Sequence, residues 1–378
     1  MFERFRRNRK PKSAAPSGGG SRERAEAERR LRGRGARVAE NWKSLAEICS
    51  ASEDYSGAFD AARKFAEFSP DDPAAAFAAG VAARKCGALP EALDYFARCV
   101  ALDPQNAEAL TQYAKAMDLA GMYDEAVEMH RRAIRINRSS AEAYYHLGVT
   151  YARGDQDDLA RDAYEQALRF DPTFAHAHGN LGVLLDRRGE FDRAVESFRR
   201  AIQLEPERAE WHSNLGALYG EHDLFDDAIE EFSTALRLDP VNAEARFNLG
   251  IAYLDRCLFD RAIEELRRAS EIDPENPRSH YHLAEAYQKK GVYDKAVREV
   301  KAALALTPDD PRCYYLLGCV YNKMDAVDEA ITAFERSIAL EPDNGRAYYF
   351  LGIALDKKGN AREARDAYRR SEELLAEA

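Results

Sequence analysis

Residues 175–208 read AHAHGNLGVLLDRRGEFDRAVESFRRAIQLEPER, and the residues before them, 141–174, read AEAYYHLGVTYARGDQDDLARDAYEQALRFDPTF. The two stretches share Leu at position 7, Gly at position 8, Ala at position 20 and Pro at position 32. The same period of 34 residues divides residues 39–378 into ten units without an insertion or deletion. A fixed period of this length indicates a repeat protein. The units, repeats 1 to 10 below, begin at residues 39, 73, 107, 141, 175, 209, 243, 277, 311 and 345.

Small side chains recur at two positions of every repeat. Position 20 is Ala in all ten repeats, and position 8 is Gly or Ala in all ten. Between these positions, a Gly in five repeats separates two stretches of apolar residues with the 3.6-residue period of a helix. Small residues at fixed positions indicate that the two helices touch closely. Each repeat is therefore predicted to be a helix, a turn and a second helix.

The chain resembles the tetratricopeptide repeat family over residues 39–378, on the repeats quoted above. Repeat 1 fits least well, because Ala62 and Phe65 depart from the usual large-then-small pair in its second helix. The resemblance implies an all-α fold, a right-handed superhelical α-solenoid of ten 34-residue helix-turn-helix units. It also implies that the first helices line a concave groove, where positions 2, 5, 6, 9, 12 and 13 would meet a ligand.

Position 6 carries polar side chains in six consecutive repeats, and three of them are Asn amides. An amide offers one acceptor and two donors, so a regular row of amides can pair with the backbone of an extended peptide. The row resembles the asparagine ladder in the repeat domain of O-linked N-acetylglucosamine transferases. The alternative is that the amides only orient water or a neighbouring turn. The predicted backbone-binding residues are Gln112, His146, Asn180, Asn214, Asn248 and His282.

Cations and phenol rings share the predicted groove of the last three repeats. Position 2 is mostly Glu in repeats 3–7 and Arg in repeats 8–10. In these last three repeats, position 13 is Lys and position 5 is Tyr. Arg can grip a carboxylate with two parallel bonds, and Tyr and Arg recur at interface hot spots. We expect an acidic segment to bind there; the alternative is ordinary solvated surface charge. The predicted residues are Arg278, Arg312, Arg346, Lys289, Lys323, Lys357, Tyr281, Tyr315 and Tyr349.

A chaperone adaptor of the usual kind is disfavoured. Relatives of that kind clamp a C-terminal carboxylate with Lys at position 5 and Asn at position 9 of one repeat, Asn at position 6 of the next, and Lys and Arg at positions 2 and 6 of the third. The nearest set here is Asn248 with Arg278 and His282. Ser213 and Ala217 stand where its first two members should be.

No motif for catalysis, a metal or a cofactor is found. The sequence has no Walker motif, no strand-associated GxGxxG, and no nucleophile with a supporting base. Its six cysteines form no CxxC pair, and the pairs of His two residues apart point to different sides of a helix. We therefore predict that the chain is not an enzyme and that it has no catalytic residue, no metal and no cofactor.

The charge is divided between a basic head and an acidic body. The chain has 55 Lys and Arg against 66 Asp and Glu, but residues 1–38 hold 13 of the basic and only 4 of the acidic residues. An acidic body is the wrong sign for specific nucleic-acid binding, and none is expected. Residues 1–38 are predicted to be largely disordered, with a short helix over residues 21–32 as an option. Residues 1–20, with Phe2 and Phe5 among six cations, could hold the protein at an anionic membrane.

These patterns favour a non-enzymatic scaffold that binds an extended, acidic protein segment in its groove. No apolar stretch follows the basic start, so the sequence shows no secretory signal. We therefore expect a cytoplasmic location, with a peripheral position at a membrane as the alternative. Two alternatives stay open. One is a self-assembling structural or coat protein, with Leu374 and Leu375 at its end, and the other is the targeting subunit of a separate enzyme.

Overall fold

The computed structural model describes residues 38–376, which form α-helices joined by short turns and contain no strand. These residues divide into an N-terminal body, residues 38–204, and a C-terminal body, residues 205–376. The predicted all-α repeat fold is confirmed. The predicted basic segment and its helix over residues 21–32 lie outside the described residues, apart from Val38. The N-terminal body has helices α1 (Val38–Ala51), α2 (Tyr55–Phe68), α3 (Pro73–Cys86), α4 (Leu89–Leu102), α5 (Ala107–Leu119), α6 (Tyr123–Ile136), α7 (Ala141–Arg153), α8 (Asp157–Phe170), α9 (Ala175–Arg187) and α10 (Phe191–Leu204).

The C-terminal body repeats the same arrangement of paired helices. Its helices are α11 (Ala209–Glu221), α12 (Phe225–Leu238), α13 (Ala243–Asp255), α14 (Phe259–Ile272), α15 (Pro277–Lys290), α16 (Tyr293–Leu306), α17 (Pro311–Lys323), α18 (Val327–Leu340), α19 (Gly345–Lys358) and α20 (Ala361–Ala376). Odd-numbered helices are the first helices of the repeats and even-numbered helices are the second. Among the described helices, none combines the length and the apolar character that crossing a bilayer requires.

The turn inside every repeat is built on one left-handed residue at position 15. Glycine fills the position in five repeats, with φ between 73° and 87°. The other five repeats place Glu53, Asp155, Asp223, Cys257 and Asp325 there, with φ between 54° and 60°. The left-handed residue ends the first helix and lets the chain reverse, so it sets the close pairing of the two helices.

The close approach inside a repeat depends on positions 8 and 24. A Cβ added to Gly318 would lie 2.6 Å from the Phe334 ring, and one added to Gly182 would lie 2.9 Å from the Phe198 ring. Phe334 is fully buried. Glycine therefore makes room for a large side chain on the second helix. The three repeats with Ala at position 8 carry a different residue at position 24: Ala62, His130 and Val300.

Within each body, neighbouring repeats pack in chain order. The second helix of one repeat packs on the first helix of the next, as α2 does on α3 and α14 on α15. First helices also contact one another, α3 with α5 and α5 with α7 in the N-terminal body, and α15 with α17 and α17 with α19 in the C-terminal body. Side chains from successive first helices are thereby brought side by side.

Candidate peptide-binding site

Guanidinium groups and aromatic rings alternate along the C-terminal body. The Arg278 guanidinium lies over the Phe247 ring, 4.7 Å from its centroid, and Arg312 lies over the Tyr281 ring at 5.7 Å. In both pairs, position 2 of one repeat covers position 5 of the repeat before it. Cation–π contacts of this kind hold an arginine in place while its N–H groups face outward. The structure thus brings the predicted position 2 and position 5 columns together.

Three of the predicted cations have no carboxylate partner among the described residues. Lys289, Lys323 and Arg346 are exposed and form no ion pair there. Two others are already engaged. Arg312 donates to both carboxylate oxygens of Asp310, at 3.0 and 2.7 Å, and Lys357 donates to Asp325 at 2.9 Å. The first three are therefore the groups that an acidic ligand could reach without breaking an internal salt bridge.

The three predicted tyrosines differ in exposure. Tyr349 is 48% exposed, whereas Tyr281 and Tyr315 are half-buried. Burial raises the pKa of Tyr281 to about 12, so its phenol stays protonated and neutral. All three residues can offer a ring face and a hydroxyl group to a ligand.

The Asn side chains at position 6 are largely covered. Asn214 and Asn248 in the C-terminal body are only 4% and 2% exposed. The buried Asn214 Oδ1 has no hydrogen-bond partner among the described residues. Asn180 lies in the N-terminal body, where its amide donates to the hydroxyls of Tyr145 and Tyr164, both at 3.4 Å.

His282 faces acidic rather than basic surroundings. Its Nδ1 lies 3.1 Å from Glu285 Oε2, and its ring packs edge-on against Phe247 with the centroids 5.6 Å apart. Burial, and after it the charge of Glu285, raise the pKa of nearby Asp255. Carboxylates thus lie beside the rows of cations in the same body.

Two further predicted residues, Gln112 and His146, lie in the N-terminal body and contact basic side chains. Gln112 Oε1 accepts from Arg84 at 3.1 Å, and His146 Nε2 lies 3.0 Å from Lys115 Nζ. The sequence analysis missed Arg84 and Lys115. They stand at positions 12 and 9, both predicted to line the groove. No group of three or more metal-ligating side chains occurs in residues 38–376.

Profiles of one repeat family match most of the chain. Those described as "Tetratricopeptide repeat" or "TPR repeat" together cover residues 50–107 and 119–377. The chain belongs to the tetratricopeptide repeat family. A comparison with the curated proteins found no match. The narrower likeness to the transferase repeat domain stays a resemblance of one column.

Two solved structures share this fold with a TM-score above 0.5. The C-terminal part of a TPR repeat-containing protein from Cytophaga hutchinsonii is 18% identical, with a TM-score of 0.53, and the match covers 64% of this chain and 99% of that one. The APC/C hetero-tetramer Cut9–Hcn1 is 15% identical, with a TM-score of 0.51 over 88% and 81% of the two chains. MamA is 31% identical over 43% of this chain and 95% of its own, with a TM-score of 0.41.

Proposed function

We propose that this tetratricopeptide repeat protein is a non-enzymatic scaffold whose C-terminal body binds an extended, acidic protein segment. The observation that carries the proposal is the set of exposed cations without an internal carboxylate, Lys289, Lys323 and Arg346. Arg278 and Arg312, on the same first helices as Lys289 and Lys323, are held against aromatic rings. Exposed cations can form charge-assisted hydrogen bonds with carboxylates, which favours an acidic ligand.

The remaining predicted residues have supporting parts in this proposal. Tyr349 offers an exposed ring for apolar contact with the segment. Arg312 can bind a partner's carboxylate only by exchanging it for Asp310, which makes it a weaker contributor. We assign Asn214 and Asn248 to the peptide backbone, because the Asn214 Oδ1 has no hydrogen-bond donor among residues 38–376. A backbone N–H of the segment is the group that would satisfy this acceptor.

Charge reversal tests the proposal directly. The probe is a fluorescein-labelled peptide of six Glu interspersed with Gly and Ser, titrated with the full chain and followed by fluorescence anisotropy. We expect the triple variant Lys289→Glu, Lys323→Glu, Arg346→Glu to bind it at least about tenfold more weakly, because each lost pair contributes to affinity. Binding by the unmodified chain should weaken steeply as the salt concentration rises from about 50 to about 300 mM, a range that includes physiological ionic strength.

A matched variant controls for total charge. Lys295, Arg298 and Lys301 are exposed cations on α16, outside the predicted columns, and their reversal to Glu changes the net charge by the same amount. This control should keep most of the affinity. Equal losses in both triple variants would show that only the overall charge matters, and unchanged binding in the first would remove the assignment.

The Asn residues have a separate test. We expect Asn214→Ala with Asn248→Ala to weaken binding of the acidic peptide equally at low and high salt, because backbone hydrogen bonds are screened little. A loss seen only at low salt would instead assign these amides to the electrostatic part of the site.

Sedimentation of the same samples reports self-association, for which Leu375, 54% exposed on α20, is the candidate contact.

A further inference from the structure

A cluster of basic side chains lies across three successive first helices of the N-terminal body. Arg84 comes from α3, Lys115 with Gln112 from α5, and His146 from α7. Arg84 Nη2 donates to Gln112 Oε1 at 3.1 Å, and Lys115 Nζ lies 3.0 Å from His146 Nε2. The basic cluster, defined as Arg84, Lys115 and His146, is separate from the residues that the proposed function tests by charge reversal.

Arg84 is a half-buried charge without a counter-ion. It forms no ion pair with the described residues, and its only hydrogen bond there is to a neutral amide. Its Nε is buried and has no acceptor. Charges removed from water are normally paired, because an unpaired one loses hydration without compensation. The guanidinium therefore lacks an anionic acceptor.

Lys115 has one counter-ion, Glu142, at the edge of ion-pair distance. The side chain is 24% exposed, and the nearest carboxylate oxygen, on Glu142, lies 3.9 Å from Nζ, farther than the neutral His146 ring. Burial, and after it the charge of Arg84, lower the pKa of Lys115. Among the described residues, Glu142 is thus the one carboxylate within ion-pair distance of these two cations.

The other charged and titratable groups around the cluster do not supply the missing anion. Asp118 on α5 is paired with Arg153 on α7. His130 on α6 stacks on the His146 ring with the centroids 6.2 Å apart, and burial lowers its pKa to about 3, so it is neutral. Glu142, whose side chain is 60% exposed, is the carboxylate that faces Lys115 and His146. Arg84 and Lys115 together with Glu142 leave an excess positive charge.

We propose that Arg84, Lys115 and His146 form a binding site for one oxyanion, a carboxylate or a phosphate group presented by a partner. The anion accepts from the Arg84 guanidinium and from the ammonium of Lys115. His146 Nε2, 3.0 Å from Lys115 Nζ, holds that ammonium at the site. This site does not depend on the peptide-binding role of the C-terminal body, because none of its three residues lies in that body.

The experiment titrates the full chain with sodium acetate and, separately, with inorganic phosphate, at constant ionic strength set with chloride. Nuclear magnetic resonance follows the Arg84 Nε–H signal and the pKa of His146 in protein labelled on arginine and histidine. We expect saturable shifts with at least one anion, an increase in the His146 pKa, and binding at least about tenfold weaker in Arg84→Gln. Saturation with both anions identifies a general oxyanion site, and saturation with phosphate alone identifies a phosphoryl site.

A matched variant and an internal anion complete the test. Arg187→Gln removes an arginine of the same body that already pairs with Asp157, and it should leave anion binding unchanged. Gln112→Glu places a carboxylate where Arg84 already donates, so it should raise the melting temperature and abolish the anion response. Shifts that are linear in anion concentration, or equal in Arg84→Gln and the unmodified chain, would overturn the site, as would an unchanged anion response in Gln112→Glu.

Discussion

At the residue scale, the large side chain at position 24 decides which residue can stand at position 8. A Cβ at Gly318 would lie 2.6 Å from Phe334, and one at Gly216 would lie 3.0 Å from Phe232. Where position 24 is Val300, position 8 is Ala284, and both are buried without conflict. In each repeat, the size of the side chain at position 24 thus determines whether position 8 is Gly or Ala.

This packing predicts the effect of adding one methyl group. We expect Gly318→Ala to lower the free energy of unfolding by roughly 1–3 kcal/mol, because overpacking outweighs the gain in helix propensity. Gly216→Ala, with its wider gap, is the matched comparison and should cost less. Urea denaturation followed by circular dichroism measures both. Equal effects of the two substitutions would contradict the packing explanation.

A second prediction concerns the left-handed residue of each turn. Cys257 adopts φ 57°, a conformation that disfavours residues with a Cβ. We expect Cys257→Gly to raise the free energy of unfolding by about 1 kcal/mol, and Gly291→Ala, at the same position of the next repeat, to lower it by a similar amount. A Cβ at Gly291 meets no atom within 4 Å, so the loss there would be purely conformational. Thermal melts compare the two variants, and a loss of stability in Cys257→Gly would refute the argument.

At the scale of elements, the side chain at position 4 joins one repeat to the next. Arg246 on α13 donates to the Pro240 carbonyl at 2.8 Å and pairs with Glu265 on α14 at 2.6 Å. His212 on α11 makes the equivalent contacts with the Pro206 carbonyl and Glu231. One side chain thus ties the first helix to its own second helix and to the end of the preceding repeat.

The Arg246 pair supports a prediction about that junction. Both side chains are only 14% exposed, so Arg246→Met leaves Glu265 nearly buried with Arg268 as its remaining partner. We expect a loss of about 2 to 3 kcal/mol in the free energy of unfolding. The double variant Arg246→Met, Glu265→Met removes the uncompensated charge and should recover most of that loss. A double variant as unstable as the single one would show that the pair itself, rather than the stranded carboxylate, matters.

At the scale of the whole molecule, three histidines of the N-terminal body and His212 of the C-terminal body have pKa shifts of opposite sign. Burial lowers the pKa of His130, His146 and His178 in the N-terminal body. The hydrogen bond to Glu231 raises the pKa of His212 in the C-terminal body. A lowered folded-state pKa removes stability as the pH falls below the unfolded value near 6.5, whereas a raised one removes stability as the pH rises through the folded value.

Acidification should therefore act on the two bodies in opposite directions. From pH 7.5 to 5, His130 alone should reduce the stability of the N-terminal body by about 2 kcal/mol, because only the unfolded chain takes up its proton. His212 should add stability to the C-terminal body over the same range. Hydrogen exchange resolved by residue measures each body. In His130→Val, the new side chain packs beside Ala114 as Val300 packs beside Ala284. This variant should show much less loss of stability in the N-terminal body on acidification. An unchanged pH response would exclude His130 as the source of the loss.

Much of the fold was predictable because it depends on short-range periodicity. The period of 34 residues located the helix pairs of all ten repeats, and the small residues at positions 8 and 20 located the contacts inside each pair. Even repeat 1, where Ala62 and Phe65 reverse the usual sizes, forms α1 and α2 with both residues buried. The left-handed turn at Glu53 and Cys257 was less visible, because neither residue favours that conformation.

The sequence by itself determined which residue types line successive first helices, since a fixed period places equal positions on equal faces. Only the tertiary structure decided which of those side chains already have partners. Arg312 and Lys357 are held by Asp310 and Asp325, while Arg84 has no carboxylate partner within residues 38–376. The physical reason is that an ion pair needs two charged atoms within about 4 Å. Such distances are set by turns and by packing between repeats, and the residue types at one position of the repeat do not specify them.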